Sequence, residues 1–593
     1  MKKRIIGMLG MAAAAILALN MNIKKAEAEQ NVVEITADSD EKLQAALSEA
    51  EENATSTNIY KITVNSGTYN SSINVSSNTD IYCKEGVIFK DCGGYAVYLE
   101  GKNSSFNGGE LDESGIIISD AESVKVDGTS IKNPGYSGIL VRNSKGNSSI
   151  SNTTISKSDK YGILVSDGTS KIDISNNHIT SAATYGVYFF GVKFEGDFKG
   201  NTIENTKGTF GVRWNSATVK GNIIKNKVLN NPDVAMWFNN SKINGNVDSN
   251  TIKKGAKTGI YFAHTTVDGD IKGNTIKNMK GNGIGVYHGS KCGVISNNTI
   301  SDIGGDRAGN AGDYGIVVSA LDTPGTSAKA IKNNNISNVT YCGICIYAGL
   351  SPKNKPLKNY SSVKGNIEGN KLYNCGTYVC SKDWKKEIAA GGKRGSRAGI
   401  YVDHYAQVYG DICNNSVKKS QENGIYLHLG AKVRAIYKNT VSGCKVDGIQ
   451  LYDKSRTKSV YNNKVSKCGR NGIRLCNSEI TTALRSNTFS DNKETAVILV
   501  TGSKVKSIQS NIIKGRKTIN SHGVGVYSGC TANMVKSNKI SKMDWGIYFE
   551  NSNKKAVVSK NKITGCRHNV TRVGAMNIPS GSSGKSGNVK VSK

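Results

Sequence analysis

Two neighbouring stretches of the sequence carry side chains that can exchange protons. "GIYVDHYA" (399–406) contains Tyr401, Asp403 and His404, and "GIYLHLGA" (424–431) contains Tyr426 and His428. Carboxylates and imidazoles are the usual general acids and bases of enzymes, and tyrosine rings suit the flat faces of sugars. We therefore predict that Asp403, His404 and His428 are catalytic and that the two tyrosines bind substrate.

A basic segment, "GTYVCSKDWKKEIAAGGKRGSRAG" (376–399), precedes the first of these stretches. In a β-elimination on a uronate, a basic side chain removes the proton next to the carboxylate, and positive charge stabilises the anion that develops. We assign Lys393, Arg394 and Arg397 to catalysis and Trp384 to substrate binding, as parts of a basic lid. The alternative is a solvated loop.

An aromatic stripe with one arginine is predicted on earlier repeats. Its members, at matching positions, are Tyr188, Arg213, Trp237 and Tyr261. Aromatic faces and a guanidinium suit sugar rings and anionic groups, so we predict that these residues bind substrate. Packing on a sheet surface is the alternative.

The elements that must position these residues follow a repeat of about 24 residues. Glycine before an apolar pair recurs at this step, as at Gly399, Gly424 and Gly448, and Asn415, Asn439 and others keep the same step. Positions +1 and +3 after the glycine are apolar, and position +2 varies. This alternation predicts a short strand with +1 and +3 facing inward.

Short strands, polar corners and a fixed period predict a solenoid whose repeats stack to bury a common core. We expect asparagine at a corner because it tolerates the left-handed backbone region, and we expect stacked asparagines to hydrogen-bond along the axis. Upstream, "DEKLQAALSEAEENA" (40–54) has helical spacing, with Asp40 as the expected N-cap, and would cover the open end of the stack.

With these repeats, the chain resembles the right-handed parallel β-helix repeat proteins of the pectin lyase-like superfamily, over roughly residues 32–570. We therefore expect an all-β fold: a single-stranded right-handed parallel β-helix of about 19 coils with an N-terminal capping helix. The superfamily includes lyases, hydrolases and adhesins, so the resemblance leaves the activity open.

Motifs of particular enzymes are incomplete. Asp403-His404 resembles the W-I-D-H stretch of pectate lyases, with Tyr401 in place of the tryptophan, but the R-x-P-x-x-R stretch is absent. Ser521-His522-Gly523 resembles the G-H-G of polygalacturonases, but the Asp-Asp pair and the Arg-Ile-Lys are absent. We predict binding of an acidic polysaccharide, with lyase chemistry favoured over glycoside hydrolysis if the protein is catalytic. The alternative is a non-catalytic binding, adhesive or structural rod at the cell surface.

The segments are expected to fall in the following order. We predict a signal peptide (1–28), a cap with a short helix (29–58), the β-helix (59–570) and a polar tail (571–593), with inserts at about 301–314, 349–363 and 376–398. The basic start, short apolar run and Ala-Glu-Ala site predict secretion to the exterior or cell surface, with no membrane span after signal removal.

The formal net charge of +32 favours an anionic partner, either an acidic polysaccharide or an anionic cell-wall polymer. An even spread of charge for solubility is the alternative. Nucleic acid is not expected, because no nucleic-acid motif accompanies the charge, and we expect a monomer. No cofactor is assigned and the metal is unknown; calcium stays open, although no loop is densely acidic. Most of the thirteen cysteines are expected to fill the core, and a disulfide between stacked neighbours such as Cys444 and Cys468 stays open.

Overall fold

The computed structural model describes residues 30–255, 257–305, 313–348, 361–377, 397–551 and 556–573. These residues wind into a parallel β-solenoid of about 21 turns, bounded by three parallel sheets. The predicted β-helix is thus confirmed, with about two more turns than the 19 expected. One source of the excess is that the segment assigned to the cap also contributes strands, Asn31–Ala37 and the start of Asn58–Val64, which pair with each other.

Each turn visits the three sheets in a fixed order. The Gly-Ile strand lies in the sheet that we call sheet I, the next one or two strands lie in sheet II, and the strand after the repeat asparagine lies in sheet III. Sheet I has twenty strands: Ile73–Val75, Tyr95–Leu99, Gly115–Ser119, Ser137–Arg142, Tyr161–Ser166, Tyr185–Phe190, Phe210–Asn215, Val234–Asn239, Ile260–Ala263, Ile284–Tyr287, Tyr314–Ser319, Cys342–Tyr347, Ala398–Asp403, Asn423–Leu427, Ile449–Tyr452, Ile473–Cys476, Val497–Val500, His522–Val526, Trp545–Glu550 and His568–Val573.

Among the described residues, sheet II has 28 strands, because many turns contribute two: Asn31–Ala37, Asn58–Val64, Thr79–Cys83, Ser105–Asn107, Lys125–Asp127, Ser148–Ser151, Thr169–Ser170, Ile172–Ser175, Lys193–Phe194, Phe198–Lys199, Thr218–Val219, Ile223–Ile224, Lys242–Ile243, Val247–Asp248, Thr266–Val267, Ile271–Lys272, Lys291–Ser296, Thr326–Lys332, Ser361–Val363, Ile367–Glu368, Gln407–Val408, Ile412–Cys413, Lys432–Tyr437, Arg456–Tyr461, Glu479–Arg485, Lys504–Gln509, Thr531–Lys536 and Val557–Ser559.

Sheet III has twenty strands: Gly67–Tyr69, Val87–Phe89, Glu110–Asp112, Ser130–Lys132, Thr154–Ser156, His178–Thr180, Thr202–Glu204, Lys227–Leu229, Thr251–Gly255, Thr275–Met279, Thr299–Ile303, Asn335–Val339, Lys371–Cys375, Ser416–Lys418, Thr440–Ser442, Lys464–Ser466, Thr488–Ser490, Ile512–Lys514, Lys539–Ser541 and Lys562–Thr564.

The core is a column of apolar side chains inside the coils. Positions +1 and +3 of sheet I are buried apolar side chains in every coil before the last strand, His568–Val573, as the alternation predicted. Rings at +3 stack through the interior: Trp214 lies 4.3 Å from Phe238, which lies 4.8 Å from Phe262, with their planes nearly parallel. The glycine before the apolar pair in most strands of sheet I is closely packed, and alanine takes its place in some coils, as at Ala235 and Ala496. A Cβ on Gly424 would lie 2.3 Å from Val441 of sheet III and 2.5 Å from a backbone oxygen of the next coil.

A ladder of buried asparagines runs along the corner between sheets II and III. Each asparagine donates its backbone N–H and its side-chain amide to the Oδ1 of the next, at 2.9–3.0 Å. The predicted stacking is confirmed, but the left-handed residue is the one before the asparagine, such as Lys438 at φ 53°. The ladder continues across the inserts, from Asn334 through Asn370 to Asn415.

The helix Asp40–Asn53 buries Leu43, Ala46, Leu47 and Ala50 against the first strands, as its spacing predicted. Its N-cap is Ser39 rather than Asp40, since the Ser39 hydroxyl accepts a hydrogen bond from the backbone N–H of Lys42 at 3.3 Å. Cys444 and Cys468, the stacked neighbours for which a disulfide stayed open, are free thiols. Within the same residues, no helix has both the length and the apolar character needed to cross a membrane.

Candidate functional site

The predicted acid–base residues meet where sheet I turns towards sheet II. Counted from the glycine of each strand, Asp403 and His428 both occupy position +4, on adjacent coils. Position +4 also holds Tyr347 on the coil before them and Tyr452 on the coil after them. The column Tyr347, Asp403, His428 and Tyr452 therefore forms one row along the axis.

His404 lies at the next position, +5, in the left-handed backbone region at φ 50°. Other coils place Asn143, Asn477 or His288 there, also with positive φ. Asparagine, aspartate and histidine tolerate this region better than most residues. The corner thus explains in part why a histidine is accepted at 404, and it turns the imidazole back towards Asp403.

Asp403 is the centre of the cluster, and its side chain is 6% exposed. Its Oδ1 lies 2.8 Å from His428 Nδ1, and its Oδ2 accepts a hydrogen bond from the Tyr401 hydroxyl at 2.6 Å. His404 contributes its backbone N–H to Oδ1 at 2.7 Å and places its Nδ1 2.7 Å from Oδ2, in ion-pair contact rather than in line for a hydrogen bond. One carboxylate therefore holds two imidazoles and a phenol.

These contacts keep Asp403 ionised. Burial alone would raise its pKa, but the contacts with His404 and His428 outweigh burial and lower the pKa to about 2. A carboxylate accepts hydrogen bonds and donates none, so the proton between His428 and Asp403 lies on Nδ1. The Nε2 atom of neutral His428 then carries the lone pair and can act as a base. The His428 side chain is 23% exposed.

The lowered pKa predicts a loss of stability in acid. The ordinary pKa of aspartate is 3.8, so the carboxylate stabilises the fold by about 2 kcal/mol above pH ~4 and loses this contribution as the pH falls through about 2. Chemical denaturation of the wild type and of Asp403→Asn at pH 5 and pH 2 measures this effect. The difference between the two proteins should shrink by about 2 kcal/mol at the lower pH; a constant difference would contradict the ionised assignment.

Arg397 does not join this cluster. It precedes the strand Ala398–Asp403, whose far end carries Asp403, so about six residues of extended chain, roughly 20 Å, separate them. Its guanidinium pairs with Glu422 at 2.9 Å. Lys393, Arg394 and Trp384 lie outside the described residues.

Tyr401 and Tyr426 stack as predicted, with ring centroids 5.2 Å apart. Both point away from the coil interior, but each is only 6% exposed, in a second apolar cluster that also contains Tyr287 and Cys345. Tyr401 therefore acts on the site through its hydrogen bond to Asp403. Tyr452 is more accessible from solvent: it is 37% exposed, and its ring centroid lies 5.5 Å from that of His428.

Sequence reasoning missed Tyr452 and Tyr347, whose ring lies 4.7 Å from that of His404. The signal was present, because both tyrosines stand at position +4, as Asp403 and His428 do.

The upstream aromatic stripe is formed in register. Tyr188 pairs with Arg213, Arg213 with Trp237, and Trp237 with Tyr261 on successive strands of sheet I. All four are half-buried, and the Arg213 guanidinium lies 4.5 Å from the Trp237 ring. The stripe lies on earlier coils than Asp403, and its last member, Tyr261, stacks on Tyr287 of the second apolar cluster with ring centroids 5.0 Å apart.

No group of three or more histidine, cysteine, aspartate or glutamate side chains is placed to hold a metal ion within the described ranges. In the Asp403 cluster, the carboxylate oxygens face the imidazole Nδ1 atoms directly, so these atoms do not converge on an ion.

Two family models match the chain. One, described as a right handed beta helix region, matches residues 102–247 and 196–324. The other, described as periplasmic copper-binding protein (NosD), matches residues 353–523 and 469–583. Together with the fold, these matches show that the chain is a parallel β-helix repeat protein. No curated relative matches the sequence.

Several solved structures resemble the chain at low identity. A PL6 family alginate lyase mutant is 11% identical, with 91% of this chain and 92% of that chain covered and a TM-score of 0.32. The catalytic domain of a GH87 alpha-1,3-glucanase in complex with nigerose is 14% identical, with 70% and 66% covered and a TM-score of 0.34. The Dettilon tailspike protein is 15% identical, with 71% and 68% covered and a TM-score of 0.26. The chain thus spans slightly less than two thirds of the glucanase chain.

Proposed function

We propose that this protein binds an acidic polysaccharide and cleaves it by β-elimination, with His428 as the general base. The observation that carries the proposal is the 2.8 Å contact between His428 Nδ1 and the ionised carboxylate of Asp403. It fixes the ring, places the proton on Nδ1 and leaves Nε2 as the acceptor. Asp403 is a positioning residue, because it acts through His428.

The reaction would proceed through proton abstraction. His428 Nε2 takes the proton from the carbon next to the uronate carboxylate, and the electron pair of that C–H bond forms a carbon–carbon double bond. The neighbouring C–O bond to the next sugar breaks, and the departing oxygen takes the proton back from the imidazolium. The products are a polymer with a new hydroxyl end and one with an unsaturated uronate end, so atoms and charge balance without an oxidant or a water.

Charge supports an anionic polymer as substrate. The chain carries a formal +32, and so positive a surface raises the local concentration of anions. We place the protein outside the cell or at its surface because of the predicted signal peptide. The name of the second matching family model raises copper as a ligand, but the described residues offer no metal-binding group of three side chains, and the proposal includes no metal.

The test is a panel of polymers. Alginate, polygalacturonate, a glycosaminoglycan and neutral dextran are incubated with the protein, with calcium or with a chelator, and the ultraviolet absorbance of unsaturated ends is followed. We expect product from at least one uronate polymer and none from dextran. New reducing ends without the absorbance would indicate hydrolysis, and no product from any uronate would reject the proposed reaction.

A second candidate is carbohydrate binding without cleavage, and the aromatic stripe favours it. Its half-buried rings lie four or more coils before Asp403 and offer flat apolar faces with an arginine between them. Such surfaces bind sugars without any need for acid–base groups.

Trp237→Ala tests the stripe. If it binds sugar, the dissociation constant for the retained polymer in affinity electrophoresis should rise up to about tenfold, in line with the roughly 0.5–1.5 kcal/mol typical of one aromatic contact. Tyr82→Ala, which removes an exposed ring of sheet II, is the control and should leave retention unchanged. Equal retention of both variants would make the stripe a packing surface.

A further inference from the structure

A groove opens beside the Asp403 cluster, on the side of sheet II. Its volume is about 690 Å³, and it is lined by Tyr405, Gln407, Gly430, Lys432, Lys454, Ser455, Arg456, Asn477, Ser478, Glu479, Gly502 and Lys504. We call it the basic groove, because four of these side chains are basic and one is acidic. We propose that the basic groove binds the acidic groups of a polyanionic glycan and leads it to His428.

One wall of the groove is a single row on sheet II. Gln407, Lys432, Arg456, Glu479 and Lys504 are paired in register on successive coils. Neighbouring strands are about 4.8 Å apart, so the row extends roughly 19 Å along the axis. It presents charges to an extended polymer at regular steps.

The lysines of the groove have no acidic partners among the described residues, unlike lysines earlier in the same row. Lys193 pairs with Glu195 at 2.6 Å and Lys242 with Asp268 at 3.6 Å. Lys432, Lys454 and Lys504 form no ion pair or side-chain hydrogen bond within the described part of the chain. Three uncompensated cations in a concave surface concentrate anions there.

The opposite wall carries residues in an unfavourable backbone conformation. At its corner position, glycine occurs in several coils, including Gly430 at φ 74° and Gly502 at φ 70°. Tyr405 and Lys454 occupy the same position at φ 64° and 62°. A non-glycine residue pays a conformational penalty in this region, and such outliers are common at functional sites. Both of these side chains line the groove.

The groove is continuous with the candidate site. Tyr405 follows His404 directly, and Gly430 lies two residues after His428. The Tyr405 ring lies over Gly430, where an added Cβ would come within 2.4 Å of it. A polymer in the groove would therefore pass from the lysines, across Tyr405, to the two imidazoles. The β-elimination needs positive charge to stabilise the developing anion, and Arg397 lies too far from Asp403 to provide it. The lysines of the groove would supply this charge.

The lining favours a glycan over a nucleic acid. Single-stranded nucleic acids are bound by several aromatic rings on which bases stack. Among the described lining residues, Tyr405 is the sole aromatic, and the others include the amides of Gln407 and Asn477, which can bond to sugar hydroxyls. The ligand class rests on the proposed function, but binding does not depend on cleavage.

Binding is measured by affinity electrophoresis and calorimetry in alginate and polygalacturonate at two salt concentrations, with dextran and single-stranded oligothymidylate as further probes. The His428→Ala background prevents turnover under the proposed mechanism. The groove variant is Lys432→Ala/Lys504→Ala. The control is Lys464→Ala/Lys514→Ala, which removes the same charge from exposed positions on sheet III.

We expect the groove variant to bind the uronate polymer at least tenfold more weakly, with a shallower salt dependence, and the control to stay within twofold of its parent. Lys454→Gly should weaken binding without lowering the thermal midpoint, because glycine suits that backbone. Glu479→Gln should strengthen binding several-fold, since it removes the acidic charge and frees Arg456 from its 3.2 Å ion pair.

Equal losses in the groove and control variants would overturn the proposal, and so would equal or tighter binding of oligothymidylate. The outcomes also separate the two proposals. If His428→Ala still cleaves the polymer while the groove variant loses binding, the base assignment fails and the groove stands. If His428→Ala is inactive while the groove variant keeps the affinity of its His428→Ala parent, the groove assignment fails alone.

Discussion

Replacing His428 with alanine is expected to lower kcat for release of unsaturated uronate ends by about 10²–10⁴-fold, the usual contribution of a general base. The KM should change little, because the His428 side chain is only 23% exposed and the basic groove is proposed to supply most of the binding charge. Thermal unfolding should show a folded protein, since His428 lies outside the core column. His178→Ala is the control, because it removes an exposed histidine paired with Glu204 on sheet III.

A rescue experiment separates chemistry from structure. Free imidazole added to His428→Ala should restore part of the rate, because the deleted side chain leaves space for a base next to Asp403. Asp403→Asn should also lower kcat, because the tautomer of His428 is no longer fixed. Added imidazole should not restore this rate, because the His428 ring is still present and occupies the space. Retention of more than half the wild-type rate in His428→Ala would remove that residue from the reaction.

The repeat made the fold predictable from sequence. A period near 24 residues places identical positions above one another, so alternation in one coil predicts burial in every coil. The same counting could have found the whole row Tyr347, Asp403, His428 and Tyr452, because all four stand at +4. The predictions for Asp403 and His428 came from their place near the inserts and from their chemistry, and the two missed tyrosines share their position without their acid–base chemistry.

Other features depend on geometry that spacing does not encode. Arg397 is six residues from Asp403 in sequence, yet the extended strand Ala398–Asp403 places the two residues at opposite ends of the strand. Lys432, Arg456 and Lys504 were counted as part of a scattered charge, and their common row appears only when the register of sheet II is known. Position +2 faces away from the coil interior, so the sequence alone predicts exposed rings at Tyr401 and Tyr426. They are buried because side chains of neighbouring coils pack around them.

The corner between sheets I and II concentrates these features for a physical reason. Positions +1 and +3 are committed to the core, and the asparagine ladder fills the corner between sheets II and III. The residues at +4 to +6 belong neither to the core nor to the asparagine ladder, so charged and aromatic side chains are tolerated there. The left-handed positions of His404, Tyr405 and Lys454 fall within this corner, and the candidate site and the basic groove share it.

Removing one rung of the asparagine ladder is expected to have the largest effect on stability. Asn250 is fully buried; its Oδ1 accepts from the N–H and the amide of Asn226, and it donates to Asn274 Oδ1 and to the Ile223 carbonyl at 2.9–3.0 Å.

Asn250→Ala leaves the buried N–H of Asn226 without an acceptor and opens a gap, so the free energy of unfolding should fall by about 3–5 kcal/mol. Asn244→Ala removes an exposed asparagine from the same coil, and its effect should stay within about 0.5 kcal/mol. Chemical denaturation of the three proteins measures both values. The ladder lies away from the corner between sheets I and II. Asn250→Ala should therefore bind the polymer with wild-type affinity at denaturant concentrations below its unfolding midpoint. Similar losses of stability in Asn250→Ala and Asn244→Ala would mean that the hydrogen bonds of the ladder do not stabilise the solenoid.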